Sequence, residues 1–330
     1  MSRNICVTAA EGNTGFVITE LLLSDPNFKS KTTSVTGLAL NPDHDHCKDL
    51  AELGAKIVPH RFGRVRDTAK ILQDIKVDTL CLVPPAHRDK VDMTIELIEA
   101  AKRANVPNVL FLSAAGCDMA ERMAQPRLRE FIDLEALFMK TKGDPNTATG
   151  HSGVIIRAGF YAENLLLYAP QAQEEGLIPI PIGPNHKFPP VALGDVAQLA
   201  AHVLTGKGKN GFSEKHRGQL MVVTGPTLLS GDELAKAASQ VLGVEMKYDD
   251  ISENEARRAL RDQTDTDEAE KQYLLEYYSL VREGKTNYIS TNAFHDVTNV
   301  HPLEPPDFFK LYRDEFLPKK ALKKRKVDGE

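Results

Sequence analysis

The first residues able to do chemistry form a turn of small side chains near the start of the chain. Within VTAAEGNTGF, residues 7–16, Ala9, Gly12 and Gly15 have the spacing of a dinucleotide-binding fingerprint, with alanine at the first glycine position. An apolar run precedes the turn and an amphipathic pattern follows it, so we predict a strand, a turn and a helix. Backbone N–H groups at the start of such a helix bind a pyrophosphate. Glycines also serve ordinary strand-to-helix turns, but this context favours nucleotide binding.

Three arginines could supply charge for an additional phosphate. Arg61, Arg64 and Arg66 lie in HRFGRVR, just past the predicted third strand. Arginine binds phosphate through a planar fork of donors, so charge near the adenosine ribose would favour NADP(H) over NAD(H). The alternative is a solvated loop. We therefore expect NADP(H) or NAD(H), with a slight preference for NADP(H).

Thiols, hydroxyls and imidazoles give weaker signals. The four cysteines are scattered, without the paired spacing of a zinc site or a redox dithiol, and we expect reduced thiols. Ser113 and Cys117 flank the turn after the predicted fifth strand. The serine could bond a substrate oxygen, whereas the thiol is either a redox sensor or an unreactive side chain. No histidine has metal-ligand spacing to another histidine or cysteine, so no metal site is predicted.

The elements that must position these residues alternate between short apolar strands and amphipathic helices. After the first strand and helix, the predicted strands are Ser34–Leu40, Ala55–Pro59, Asp78–Val83, Val109–Ser113 and Val154–Arg157. The helices between them are Cys47–Leu53, Asp67–Gln73, Val91–Ala104 and Pro126–Lys142, and a polar loop spans Lys142–Gly150. This alternation predicts an α/β fold with a doubly wound parallel sheet, whose ligands bind at the carboxyl ends of the strands.

The pattern loosens after the sixth strand. Short extended pieces, a strand and several helices are predicted at Ile178–Gly183, Lys187–Val191, Leu193–Leu204, Gln219–Val223 and Ser230–Leu242, followed by helices to Phe316 with a polar link over Arg261–Glu270. We expect a dinucleotide-binding Rossmann domain over residues 1–157.

Composition excludes several classes of protein. The 330-residue chain has a formal net charge of −5, which argues against direct nucleic-acid binding by its body. Neither a signal peptide nor an apolar segment long enough for a bilayer is recognisable, so we expect a cytoplasmic protein without membrane contact. The tail, residues 319–330, carries six basic residues and is expected to be disordered. It is either a nuclear import signal or a solubilising tail.

Longer segments, in order and spacing, resemble one family. These are VTAAEGNTG, LVPP after the fourth strand, LSAAG after the fifth, IIRAGFYAENLL after the sixth, PPVALGDVAQLAAHVL, VVTGPTLLSGDELAKAASQVLG and NAFHDVTNVHPLEPPDFFKLYRDEF. They cover nearly the whole chain, which resembles the NmrA-like proteins, an atypical branch of the short-chain dehydrogenase/reductase superfamily. The resemblance implies a Rossmann domain, a small C-terminal α/β domain and a cleft between them. The C-terminal domain, for a substrate or partner, is expected mainly over residues 158–318, with a return near 187–225 that completes the sheet.

The resemblance and the strand ends together give a set of expected cofactor-binding residues. They are Ala10, Glu11, Gly12, Asn13, Thr14, Gly15, Asn41, Arg61, Pro84, Ser113, Tyr161, Glu163 and Asn164. Asn41 stands for the residue after the second strand, which is often basic in NADP binders of the family. Two departures matter: His60-Arg61 replace the usual Gly-Asp after the third strand, and Phe131 replaces a lysine of cofactor-binding relatives. At the end of the second strand neither an acidic residue nor an arginine is in place.

Catalysis in the parent superfamily uses a tyrosine activated by a lysine four residues later. None of the eight tyrosines here has lysine at that spacing. We therefore expect a dinucleotide-sensing regulator, and the resemblance implies a protein partner for it. The alternative is an NADPH-dependent oxidoreductase acting on a quinone- or iminium-type acceptor near Tyr161, Asn164 and Phe188, because such hydride transfer needs positioning more than an acid.

Overall fold

Short apolar strands form the centre of the protein, as the buried runs of the sequence predict. The computed structural model describes residues 2–140, 153–208, 211–263, 267–286 and 292–319. The strands are β1 (Arg3–Thr8), β2 (Thr32–Ala39), β3 (Lys56–Pro59), β4 (Thr79–Leu82), β5 (Asn108–Ala114), β6 (Val154–Ala158), β7 (Leu177–Pro179), β8 (Leu220–Val223) and β9 (Lys247–Asp249). All four residues of β4 are buried, because helices cover both faces of a parallel sheet.

The main sheet has seven parallel strands in the order β3–β2–β1–β4–β5–β6–β8. From β1 the chain first adds strands on one side, through β2 to β3, and then returns to add β4 on the other side. The strand order therefore reverses between β1 and β4, and in such sheets ligands bind beside that reversal, at the carboxyl ends of the strands. The predicted fold class is confirmed.

Helices connect the strands and cover the sheet. They are α1 (Asn13–Ser24), α2 (Pro26–Lys29), α3 (Asp45–Glu52), α4 (Val65–Asp74), α5 (Lys90–Arg103), α6 (Pro126–Lys140), a 3-10 helix (Ala162–Tyr168), α7 (Ala169–Glu175), α8 (Leu193–Leu204), α9 (Gly231–Leu242), α10 (Glu253–Gln263), α11 (Glu268–Arg282), α12 (Asn292–Thr298), α13 (Pro305–Leu311) and α14 (Arg313–Phe316). Buried side chains of α1, α3, α8 and α12 pack on one face of the sheet, and those of α4, α5 and α6 pack on the other.

A separate apolar core forms among the elements after β6. It joins the 3-10 helix with α9, α10, α11 and α13, beside a two-stranded parallel sheet of β7 and β9. Ser230 and Glu233 start α9 with a reciprocal capping box, which satisfies two backbone donors. The ring of Tyr273 on α11 packs against both this core and the core under α5 and α6. One aromatic side chain thus bridges the two parts.

Several predicted boundaries were wrong. The polar link expected over Arg261–Glu270 is shorter, because α10 continues to Gln263 and α11 begins at Glu268 with Asp267 as its N-cap. The short elements α2 and β9 had no clear periodicity and were not predicted. The loop predicted over Lys142–Gly150 lies outside the described residues. The domain division at residue 157 stays a prediction, although β8 does join the main sheet beside β6.

Candidate functional site

The turn after β1 is built so that backbone approaches backbone. Ala9 has φ of +49°, a left-handed conformation that costs about 1–2 kcal/mol for a residue with a Cβ. The Gly12 N–H donates to the Ala9 carbonyl oxygen at 3.0 Å. A Cβ on Gly15 would collide with that same oxygen and lie 2.8 Å from the Ala9 carbonyl carbon. Only glycine therefore fits at position 15.

The turn leaves an anion-binding surface at the start of α1. Gly12 is the N-cap residue and supplies no side-chain cap. The Phe16 N–H bonds to the Gly12 carbonyl at 2.8 Å, so the preceding N–H groups at the helix start have no partner within the helix. A Cβ at Gly12 would meet only the Ala9 oxygen, at 3.4 Å, so its own side is open. The site fits a pyrophosphate, which unsatisfied N–H groups and the helix dipole attract.

The edge beside β2 carries a carboxylate from the turn itself. Leu40 directly follows β2, and its N–H donates to Glu11 Oε1 at 2.8 Å. The Glu11 backbone oxygen contacts His46 Nδ1 at 2.8 Å, and the His46 ring stacks on Phe16 with centroids 4.3 Å apart. The end of β2 itself carries no acidic residue, as the sequence indicated, but Glu11 supplies a carboxylate there from the turn after β1.

Asn41 and Arg61 lie further out on the same side. Asn41, expected directly after the strand, is one residue later and exposed, and its Oδ1 accepts the Asp43 N–H at 3.2 Å. Arg61 is exposed after β3. Its neighbour His60 is buried, with its N–H bonded to the Ala39 oxygen at 2.7 Å, and burial lowers the pKa of its imidazole.

On the other side of the turn, β1 and β4 are tied together at their ends. The buried Thr8 hydroxyl donates to the Val83 carbonyl at 2.7 Å, just before Pro84. The Thr14 hydroxyl donates to the Tyr161 hydroxyl at 3.4 Å, so the segment after β6 reaches the turn. Desolvation raises the pKa of Tyr161 to about 12. Tyr161 is thus a neutral hydrogen-bonding group beside the start of α1, alongside the half-buried Thr14 and the exposed Asn13.

Glu163 and Asn164 follow Tyr161 but face different surroundings. Glu163 Oε2 accepts the Leu193 N–H at 2.9 Å, so its carboxylate satisfies a donor at the N-terminus of α8. Burial raises the pKa of Glu163 despite that bond. Asn164 is half-buried, and its backbone N–H donates to the Tyr161 backbone carbonyl oxygen at 3.0 Å. Their roles as cofactor contacts stay predictions.

Ser113 and Cys117 belong to a buried ion-pair network. The Ser113 hydroxyl donates to Glu135, whose carboxylate also receives two bonds from the Arg157 guanidinium at 2.9 and 2.7 Å. Cys117 lies 3.7 Å from the same carboxylate. Burial, followed by the charge of Glu135, raises the pKa of the Cys117 thiol to about 12. The arginine near Cys117 was not predicted, yet the thiol is still held in its unreactive form.

A second group of side chains lies past β4, which we name the Lys90 cluster: Lys90, Phe131, Glu270 and Tyr273. Lys90 begins α5 and is only 2% exposed. Its Nζ lies 4.6 Å from the Phe131 ring centroid, 5.2 Å from that of Tyr273 and 3.7 Å from Glu270 Oε1. Buried cations are retained when aromatic faces and a carboxylate compensate their desolvation.

The Lys90 cluster corrects one implication of the Phe131 substitution. Phe131 removes a lysine from α6, yet the ammonium of Lys90 lies over its ring, so a cation is present there from a different helix. The two aromatic centroids are 6.0 Å apart. Lys90 also shares a helix face with Met93, Thr94 and Leu97, which are all buried. A lysine within this apolar stripe was the signal in the sequence that could have revealed it.

Among the described residues, no group of three or more histidine, cysteine, aspartate or glutamate side chains is arranged to hold a metal ion.

In the described part of the chain, no helix has both the length and the apolar character needed to cross a membrane.

Known proteins resemble this chain in sequence and in fold. The chain is 30% identical over 213 residues to an NAD(P)H azoreductase of Xenophilus azovorans, a match covering 63% of this chain and 67% of that protein. An NADPH-dependent quinone oxidoreductase of Escherichia coli, solved with NADPH, has a TM-score of 0.72 and 21% identity, covering 92% of this chain and 98% of that one. NmrA, a negative transcriptional regulator solved with NADP, has a TM-score of 0.70 and 13% identity, covering 94% of each chain.

At these identities the two solved structures bear on the fold alone. The family model that describes the NmrA-like family matches residues 1–314, nearly the full length. The resemblance suggested by the sequence motifs is thereby confirmed, and the chain belongs to the NmrA-like family.

Proposed function

We propose that the protein binds a nicotinamide dinucleotide along the carboxyl edge of its sheet. The pyrophosphate takes the N–H groups at the start of α1, where Gly15 lets the helix approach the turn. The adenosine half extends over β2, towards Glu11 and Leu40, since Rossmann folds bind the ribose hydroxyls near the end of that strand. The nicotinamide half then extends the other way, over β4 and β5. NADP(H) complexes of the related fold support this cofactor class.

We further infer that the protein senses the dinucleotide and regulates a protein partner, without reducing a small molecule. The observation that carries this proposal is the Lys90 cluster. Phe131 is 9% exposed and packs beside the Lys90 ammonium and the ring of Tyr273. In this proposal the nicotinamide lies over β4 and β5, and these side chains take the space that an acceptor would need beside it. A reductase needs that space to bring the reacting atoms together.

The Lys90 cluster also gives a route from the dinucleotide to the C-terminal helices. Tyr273 and Glu270 belong to α11, which bonds to the start of α6 at two places. Glu276 Oε2 accepts the Leu128 N–H at 2.9 Å, and Gln125 Nε2 donates to the Ser279 hydroxyl at 2.7 Å. A dinucleotide that binds one arrangement of the cluster more tightly therefore shifts α11 as well. A partner that contacts the C-terminal helices would read that shift.

Turnover assays separate this proposal from its alternative. Purified protein is incubated with NADH or NADPH and a panel of quinones, azo compounds and iminium acceptors, while calorimetry measures binding of the same dinucleotides. The proposal predicts binding together with cofactor oxidation no faster than in the protein-free control. Oxidation clearly above that control, lost in a variant that no longer binds dinucleotide, would overturn the regulatory proposal.

The second candidate is an NAD(P)H-dependent oxidoreductase. It is favoured by the relationship at 30% identity to an NAD(P)H azoreductase. In that case an acceptor would have to enter near Tyr161, Asn164 and Phe188. Phe188 is fully buried against Phe160, so entry there requires movement of the second core. The azo compounds in the acceptor panel test this candidate directly.

Nuclear action is proposed from the basic tail alone. Lys319 Nζ lies 3.9 Å from a Glu174 carboxylate oxygen, whereas residues 320–330 lie outside the described part of the chain. A fluorescent fusion lacking residues 319–330 should leave the nucleus if the tail is an import signal. An unchanged distribution would show that the tail does not set the location.

A further inference from the structure

In the proposed dinucleotide site, the Glu11 carboxylate lies beside the adenosine ribose, the part in which NAD(H) and NADP(H) differ. NAD(H) carries a 2′-hydroxyl on its adenosine ribose, and NADP(H) carries a 2′-phosphate there. In Rossmann folds this part of the ligand lies near the end of the second strand, where an acidic side chain accepts from the ribose hydroxyl and an arginine accommodates the phosphate. Here Leu40 follows β2, and its N–H is bonded to Glu11 Oε1.

Among the described residues, no lysine or arginine pairs with the Glu11 carboxylate, which accepts the Leu40 N–H. Its Oε2 is buried and has no hydrogen-bond partner among the described residues. Lys48, the lysine of the adjacent helix α3, is bonded to Asp45 at 2.7 Å. The side chain of Arg61 is exposed after β3. The polar atoms that hold Glu11 in place are thus backbone groups and the His46 ring, rather than a guanidinium or an ammonium.

The loop after β2 adds more negative charge. Asp43 is exposed on this loop, and its charge and that of Glu11 both act on the neighbouring Cys47 thiol. A 2′-phosphate would approach these two carboxylates, and like charges a few ångströms apart repel strongly where protein excludes water. A neutral 2′-hydroxyl meets no such repulsion and can donate to an acceptor.

We propose that Glu11 makes the protein selective for NAD(H) over NADP(H). This reverses the slight preference expected from Arg61, and it rests on the proposed dinucleotide site. The turn, rather than the end of β2, supplies the acidic group. Regulation would then follow the NAD(H) pool of the cell.

Calorimetry of the full chain with NAD⁺, NADH, NADP⁺ and NADPH tests the proposal. We expect NAD⁺ and NADH to bind at least about tenfold more tightly than their phosphorylated counterparts. Glu11→Gln keeps an oxygen for the Leu40 N–H but removes the charge, so NADP(H) affinity should rise at least about threefold while NAD(H) affinity changes little. Glu52→Gln, an exposed glutamate on α3, makes the same change in net charge and should leave the ratio as it is.

A salt series provides a second readout that does not depend on folding of the variant. Ions screen the repulsion, so the NAD(H) to NADP(H) affinity ratio of the wild type should narrow as the salt concentration rises. Tighter binding of NADP(H) by the wild type, or an unchanged ratio in Glu11→Gln, would overturn the proposal while leaving dinucleotide binding intact. If none of the four dinucleotides binds, the proposed function itself fails, and the selectivity with it.

Discussion

The two ends of the carboxyl edge of the sheet differ in the groups that surround their charged side chains. Beside β2, the Glu11 carboxylate meets a backbone N–H, and the neighbouring Asn41 is exposed. Beside β4 and β5, the buried Lys90 is enclosed by Phe131 and Tyr273. In the proposed function, the first end is the recognition end, whose polar groups bind the adenosine half of the dinucleotide. The second is the filled end, where side chains leave no space for an acceptor.

Opening the filled end should have the largest effect. Phe131→Ala removes a buried ring and should lower the free energy of unfolding by about 3–5 kcal/mol. Phe131→Leu keeps most of the volume and should cost about 1 kcal/mol. If the ring blocks access, only the alanine variant should gain quinone-dependent NADH oxidation. Urea unfolding and an absorbance assay at the same temperature measure both quantities.

Substitution of Tyr273 gives a second test in case Phe131→Ala does not fold. Tyr273→Ala removes the other ring beside Lys90 and exposes less new surface, because Tyr273 is already partly exposed. Folded variants of both positions that show no gain in oxidation would mean that the Lys90 cluster does not limit turnover. The contrast between the two ends would then lose its functional meaning.

In the turn between the two ends, substitution of Gly15 should lower stability, whereas substitution of Gly12 should lower dinucleotide affinity. Gly15→Ala forces a methyl group against the Ala9 carbonyl and should cost about 1–3 kcal/mol of stability. Gly12→Ala meets no close neighbour and should change stability by no more than about 0.5 kcal/mol. The methyl group would add bulk at the N-cap of α1, where the pyrophosphate is proposed to bind, so dinucleotide affinity should fall at least about tenfold. Equal affinity of Gly12→Ala and wild type would move the ligand away from α1.

The smallest effect concerns pH at the recognition end. Burial lowers the pKa of His60 in the folded state, so the unfolded chain binds its proton more readily. Stability should therefore fall as the pH drops below about 6.5, the usual pKa of unfolded histidine. His60→Gln should flatten this decline, whereas His295→Gln, on an exposed side chain, should not. Urea titrations between pH 5 and 8 compare the slopes, and parallel slopes of wild type and His60→Gln would contradict the assignment.

Much of the fold was predictable from the sequence, because the patterns that mark its strands and helices are local. Continuous apolar runs predicted β4 and β5 to within one residue at every end, and the helix predicted over Ser230–Leu242 has Ser230 as the N-cap of α9. Short elements such as β9 were not predicted, because three residues show no periodicity. The observed end of α10 and start of α11 differ from the predicted ones for a similar reason, since these polar segments have little hydrophobic pattern.

The candidate site was predictable only in part, because its key contacts join distant segments. The glycine turn is local and was found, but the role of Glu11 depends on Leu40, which lies 29 residues later. The Lys90 cluster joins α5, α6 and α11, and a search for lysine four residues after tyrosine misses it. Pairings of this kind are fixed by packing of the sheet and helices, which single-residue spacing does not reveal.

A crystal structure with NADH bound would show both ends of the edge at once. We expect the pyrophosphate at the start of α1, the adenosine ribose beside Glu11, and the nicotinamide against Phe131 and Tyr273. We expect no cavity beside the nicotinamide C4 atom large enough for a quinone. Displaced rings, with an open cavity of quinone size facing that atom, would contradict the proposed regulatory function and favour the oxidoreductase.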